Sequence, residues 1–251
     1  DNLIEDVDAV DGYGLALYGF SADARIERNT IRDVDTAGIL VASHTGEVWV
    51  NDNQIAPGPA RYQTDYGHGS GIIVGSAYGG SAYVQTNTLD CVNPWAIGIF
   101  IAASSTFYGD VQEHAVIEKN RITVHGTNGG GVALMGSVKN TRVANNQLRG
   151  AGAFAFFNTV WITSEDVVES NTYVGNNVTQ FDSSVADVLF DVNTRDNVYV
   201  GRANSVIDLG VDNWINGTAT GPPPMLPGLQ LSGLYRPPWA GGAVVPSILG
   251  G

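Results

Sequence analysis

A six-residue phrase, apolar-x-x-Asn-x-apolar, recurs along this chain and limits its fold more than any other feature. It reads IERNTI at 26–31, VNDNQI at 50–55, VQTNTL at 84–89, IEKNRI at 117–122, VANNQL at 143–148 and VESNTY at 168–173. A weaker copy, TRDNVY, follows at 194–199. The first apolar residues of the six are 24, 34, 33, 26 and 25 residues apart. Between them runs a second theme, Gly-apolar-x-apolar: GLAL at 14–17, GILV at 38–41, GIIV at 71–74, GIFI at 98–101 and GVAL at 131–134, continued without glycine by AFAF at 153–156. Both themes alternate with a period of two, as a strand with one buried face does. Repeats of this length, each holding several short strands, predict an all-β solenoid in which every repeat stacks on the last. No L-x-x-L-x-L-x-x-N frame, six-residue period or G-G-x-G-x-D run is present, so leucine-rich, hexapeptide and calcium-binding nonapeptide repeats are excluded.

The asparagines follow from the need to turn. In each repeat the chain bends sharply between two strands, and Asn tolerates left-handed backbone and hydrogen-bonds within its own turn. Asn29, Asn53, Asn87, Asn120, Asn146, Asn171 and Asn197 are therefore expected to stack into a hydrogen-bonded ladder that serves the scaffold. Seven repeats at a strand spacing of about 4.8 Å make a rod about 30–35 Å long. Asn2-Leu3-Ile4 matches the end of a phrase, so the chain is expected to begin mid-repeat, as a fragment or with a short cap. After about residue 205 the pattern gives way to a stretch ending in GPPPMLPGLQLSGLYRPPWAGGAVVPSILGG, rich in Pro and Gly. The expected division is a repeat domain over 1–205 and an irregular extension over 206–251.

The N-x-I and G-I-x-V phrasing over roughly residues 1–200 resembles the right-handed parallel β-helices of the pectate-lyase-like superfamily. The resemblance implies a right-handed parallel β-helix of about seven coils, with GILV-type strands in one sheet, strands preceding the Asn in a second, and the Asn turning into a third. It also implies a carbohydrate groove on the GILV sheet and its flanking loops. The fold hosts many activities, so the resemblance bears on fold more than on chemistry.

Composition narrows the partners. The formal net charge is −13 with only 12 Lys and Arg, which disfavours nucleic acid. No apolar run approaches the length of a membrane span, and the first residues lack a signal-peptide pattern. The single cysteine, Cys91, reads as a small wall hydrophobe. An extracellular or cell-surface location accompanies the carbohydrate reading.

The long repeats carry two insertions, APGPARYQTDYGHGS at 56–70 and AASSTFYGDVQEH at 102–114, flanking the same sheet. Loops held by a rigid scaffold commonly carry function. Sugar chemistry needs an acid/base pair, aromatic platforms and a cation for a carboxylate. Asp65 and Asp110 are the acid/base candidates, His68 or His114 the proton shuttle, Arg61 the uronate partner, and Tyr62, Tyr66 and Tyr108 the platforms. The chemistry would be lyase or hydrolase, and ordinary solvated loops are the competing reading. On the second sheet Trp49 and Tyr83 face outward beside Asn51 and Gln85, either to stack on sugars or to stabilise the strands.

Outward positions of the GILV sheet are Ala16, Leu40, Ile73, Phe100, Ala133 and Ala155, with no Lys, Arg, Asp or Asn among them. Such a stripe needs a cover, either the C-terminal extension or a second subunit meeting Leu40, Ile73 and Phe100. Asp6, Asp8, Asp11, Asp33 and Asp35 could bring oxygen ligands together for Ca²⁺, or serve as turn residues. Zinc is disfavoured because His44, His68, His114 and His125 lack ligand spacing. Two function classes stay open: a carbohydrate-interacting protein, catalytic or not, and a noncatalytic structural or adhesive segment.

Overall fold

The structure, a computed structural model, describes residues 1–8, 12–19, 23–59, 69–77, 80–103, 111–159, 166–216 and 218–220. The insertion residues Arg61, Tyr62, Asp65, Tyr66, His68, Tyr108 and Asp110, together with Asp11 and the stretch 221–251, lie outside these. The described residues form an all-β molecule whose strands pair almost entirely in parallel. None of them forms a helix long and apolar enough to cross a membrane.

Three sheets share the repeats. In the nine-stranded sheet Ala24–Glu27, Glu47–Asn51, Ser81–Gln85, Ala115–Glu118, Arg142–Ala144, Thr172–Val174, Val198–Val200 and Asn213–Ile215 pair in sequence order, and Thr218–Thr220 closes it antiparallel. The thirteen-stranded sheet holds two series. One starts just after each corner asparagine (Leu3–Val7, Thr30–Val34, Gln54–Ala56, Thr88–Cys91, Arg121–Val124). The other carries the glycine theme (Tyr13–Leu17, Ala37–His44, Ser70–Ala77, Ile97–Ala103, Gly130–Gly136). In Gln147–Thr159 and Asn177–Phe190 the two series run together as single long strands. A small sheet, Gln112–Glu113, Val138–Lys139, Val168–Glu169 and Thr194–Arg195, is formed among the described residues by the later repeats. Regular pairing continues past residue 205, through Val206–Asp208 and Asn213–Ile215.

The asparagine ladder is present but is two ladders. The first runs Asn2, Asn29, Asn53, Asn87, Asn120, Asn146 and Asn176, at the corner between the nine-stranded sheet and the large one. Asn120 is representative. Its Nδ2 donates to the Val84 carbonyl and to Asn146 Oδ1, both at 2.9 Å, and its Oδ1 accepts the backbone N–H and Nδ2 of Asn87, both at 3.0 Å. All four side-chain bonds are thereby made inside a fully buried corner. The second ladder, Asn171, Asn197 and Asn213, lies at the corner between the small sheet and the nine-stranded one. VESNTY and TRDNVY thus belong to a different turn from the other five phrases, and Val143 pairs with Tyr173, not with Val168.

The left-handed backbone falls on the residue before each asparagine. Arg28, Asp52, Thr86, Lys119 and Asn145 have φ between 55° and 58°, and Gly175 has 66°. The second corner repeats the device at Asn140, Ser170, Asp196 and Asp212. The asparagines hold the corner by hydrogen bonding, while their neighbours carry the strained dihedral.

The core explains why the two sequence themes travel together. A Cβ on Gly38 would lie 2.1 Å from Ile55 Cγ2, and one on Gly98 would lie 2.3 Å from Ile122 Cγ2. The theme glycine therefore makes room for the apolar residue two places after a ladder asparagine, across the interior. Ile31, Ile55, Leu89, Ile122 and Leu148 pack there with Ile39, Ile72, Ile99 and Val132, and with Val50, Val84 and Ile117 from the nine-stranded sheet.

The outward stripe of the glycine series is covered, and its last member lies elsewhere. Leu40, Ile73, Phe100 and Ala133 do turn away from this core, but they are 0% exposed and form a second cluster with Phe157 and Leu189. Ala155 instead faces the main core, because Ala133 pairs with Phe157 and Val132 with Phe156. Ala155 occupies the glycine's place, two positions from the expected alignment.

Candidate functional site

Of the residues singled out in the insertions, only His114 lies within the described part. It has φ 59° and its N–H donates to the Lys139 carbonyl, as Asn140 does to Glu169 one repeat on. His114 is thus a corner residue. Its imidazole is two-thirds exposed, with Nε2 3.8 Å from a Glu113 carboxylate oxygen. No described nucleophile or second acid converges on it.

Trp49 and Tyr83 sit on neighbouring strands in direct register, with ring centroids 5.7 Å apart and planes 11° from parallel. Arg25 covers the other face of Trp49, its guanidinium carbon 4.5 Å from the ring centre. The stack continues along the strands, so the indole has both faces occupied and presents an edge to solvent. Beside it Glu118 accepts hydrogen bonds from Arg142 and Asn145. On the small sheet Glu169 bridges Lys139, at 3.3 Å, and Arg195, at 2.5 Å. Partial burial pushes the Glu169 carboxyl upward, but the bonds and charges of Arg195 and Lys139 outweigh it and hold the group below the usual carboxylate range. These are cross-strand pairs that satisfy one another.

Among the described residues no three His, Cys, Asp or Glu side chains converge to hold a metal ion. Asp6 and Asp33 instead occupy left-handed positions, with φ 57° and 53°. Cys91 is fully buried, and that burial, reinforced by the charge of Asp90, pushes its thiol up to about 12.

The open polar surface lies on the strands just after the first ladder. The residue following each asparagine faces outward; after the apolar Leu3 the row reads Thr30, Gln54, Thr88, Arg121, Gln147 and Asn177. Two positions on, a second row reads Asp90, Thr123, Arg149 and Gln180. Asp90 meets His125 Nε2 at 2.7 Å, both half exposed. The side chains of Arg121 and Arg149 have no hydrogen-bonded or ionic partner among the described residues.

Between Gln147/Asn177 and Arg149/Gln180 the register shifts, with one extra residue on the later strand. This bulge leaves a depression of about 170 Å³ lined by Gln147, Leu148, Arg149, Asn177 and Gln180. Asn177 Oδ1 accepts the backbone N–H of Thr179 at 3.0 Å and its hydroxyl at 2.7 Å, which leaves the amide nitrogen available outward. The expectations from sequence concern the glycine-series strands of this sheet and the nine-stranded sheet, not these strands. Their signal was the residue after each asparagine, polar in six successive phrases, counting Asn177 after Asn176.

Comparison with protein families, with curated proteins and with solved structures gives no match for this chain.

Proposed function

We propose that the chain is a right-handed parallel β-helix of the pectate-lyase-like kind that binds polysaccharide at a cell surface or outside the cell. The observation that carries this reading is the paired polar rows on the large sheet. Thr88, Arg121, Gln147 and Asn177 lie in register on successive strands, with Asp90, Thr123, Arg149 and Gln180 beside them. Strands spaced about 4.8 Å apart present hydrogen-bonding groups as an extended track, which suits a polymer better than a compact metabolite. The parallel pairing of each strand with its counterpart one repeat on, and the corner ladders, support the β-helix winding.

The enzymatic form of the reading places lyase or hydrolase chemistry at Asp65, His68, Asp110 and His114, with Arg61, Tyr62, Tyr66 and Tyr108 as substrate contacts. Incubation with acidic polysaccharides, with and without Ca²⁺, tests elimination directly. Rising ultraviolet absorbance of unsaturated products that is lost in Asp65→Ala supports a lyase, and a flat trace removes elimination. A second reading, a noncatalytic structural or adhesive segment, is favoured by the way Arg25, Trp49 and Tyr83 satisfy each other on the nine-stranded sheet.

A further inference from the structure

We propose that the depression framed by Gln147, Arg149, Asn177 and Gln180 is a receptor for an oxyanion group, a sulfate ester or a carboxylate, on the bound polymer. That the carrier is a glycan rests on the reading above; that the group is an oxyanion rests on the geometry of the depression.

Five of the eight arginines among the described residues are matched to an acid or a ring. Arg28 meets Asp1, Arg32 meets Glu5, Arg142 meets Glu118, Arg195 meets Glu169, and Arg25 lies over Trp49. Arg149 is exposed and unmatched among the described residues, in a chain of net charge −13. Acids are available in principle, but Asp90 is two strands away and is held by His125. Asp182 sits opposite Ala151, two residues further along the strand from Arg149, roughly 6–7 Å in strand rise. Arg149 lines the depression, and its side chain has no ionic or hydrogen-bonded partner among the described residues.

The rest of the frame can supply donors. Thr179 occupies the Asn177 carbonyl oxygen, so that side chain offers donors, and Gln147 and Gln180 can each turn an amide nitrogen inward. A planar guanidinium fork flanked by amide donors matches an oxyanion bearing several acceptor lone pairs. The bulge supplies the concavity by displacing one strand relative to its neighbour. Arg121 lies one strand before Arg149, opposite Gln147, and places a second cation where a neighbouring anionic group of the same polymer would fall.

The test uses the whole chain and two kinds of probe. Binding is measured on dextran sulfate, on polygalacturonate and on neutral dextran for the wild type, Arg149→Gln, Arg149→Lys and a charge-matched control, Arg202→Gln. Separately, sodium sulfate and sodium acetate are titrated against chloride at equal ionic strength while the backbone amides of residues 147–180 are followed by NMR. Saturable shifts around Gln147 and Gln180 in the wild type, absent in Arg149→Gln, are expected. On the anionic glycans Arg149→Gln is expected to weaken binding about tenfold or more, Arg149→Lys less, and Arg202→Gln hardly at all. Sulfate weakening more than carboxylate, or the reverse, identifies which group the receptor prefers. Equal losses in Arg149→Gln and Arg202→Gln, or no saturable shift with either ion, would overturn the inference. Saturable anion shifts without retention of any glycan would sustain the receptor and defeat the carbohydrate reading.

Discussion

Asn120 shows what a single residue does for this scaffold. Its four side-chain hydrogen bonds tie three repeats together, to Asn87, to Val84 and to Asn146. Asn120→Ala orphans a buried carbonyl and a buried amide on its neighbours, and each such group costs about 1–3 kcal/mol. The expected loss is at least about 2 kcal/mol in urea unfolding, whereas an exposed ladder neighbour such as Lys119→Ala should change little beyond its backbone strain. Cys91 gives a second residue-scale outcome. Its thiol ordinarily ionises near 9.0 and is pushed to about 12 by burial in the wall. A thiol reagent at pH 8 should leave the folded protein unmodified and label it fully in urea. Because the folded value is the higher one, the Cys91 contribution to stability is complete below pH 9 and is lost as pH rises toward 12. Cys91→Ala should reduce that alkaline decline, with Tyr173 and Tyr199, also raised by burial, accounting for what remains. The ladder asparagines were legible in the sequence, since one residue type repeated at one place in a phrase. Which residue takes the left-handed dihedral was not, because Arg28, Asp52, Thr86 and Lys119 share no side-chain chemistry.

At the scale of strands and corners, the same short phrase serves two turns. A strand, a left-handed residue and a buried asparagine spell apolar-x-x-Asn-x-apolar at either corner, so VESNTY looked like a continuation of VANNQL. The in-register continuation is YVGNNV at 173–178, with Gly175 in the left-handed place and Asn176 on the ladder. Only pairing across repeats separates the two, and a single sequence carries no such information. The glycine theme has the opposite character: its meaning is steric and local to the interior. Gly98→Ala would drive a methyl group to 2.3 Å from Ile122 Cγ2 and 2.7 Å from the Gly131 carbonyl. Overpacking of this kind costs about 1–3 kcal/mol, so a lowered midpoint of thermal unfolding is expected. Electrostatics at the small sheet set the acid limb of stability. Glu169 lies below its ordinary value through Arg195 and Lys139 despite partial burial, so its contribution is present above the unfolded value of about 4.3 and disappears as pH falls through the lowered folded one. Glu169→Gln should flatten the stability profile below about pH 4 and leave it unchanged in shape near neutrality.

For the molecule as a whole, the sheet architecture follows from repetition, and function lies in what repetition leaves on the outer faces. The glycine-series stripe reads as outward and in need of a cover because its strands alternate, and it is the face of a second buried cluster. Alternation says which way a side chain points and not whether something lies against it. The track on the large sheet went unnoticed for the converse reason: Thr88, Arg121, Gln147 and Asn177 share no residue type, and polarity alone draws little attention on a solvated face. Their relation is visible only when strands 24–34 residues apart are set side by side. A polysaccharide-binding track is tested most directly by retention of the wild-type protein on immobilised polysaccharide, compared with a variant carrying Arg121→Ala, Gln147→Ala and Asn177→Ala together. It predicts retention by at least one polysaccharide that the triple variant loses while its unfolding midpoint stays near that of the wild type. Retention unchanged in that variant but abolished in Trp49→Ala/Tyr83→Ala, or no retention by any polysaccharide, would contradict it.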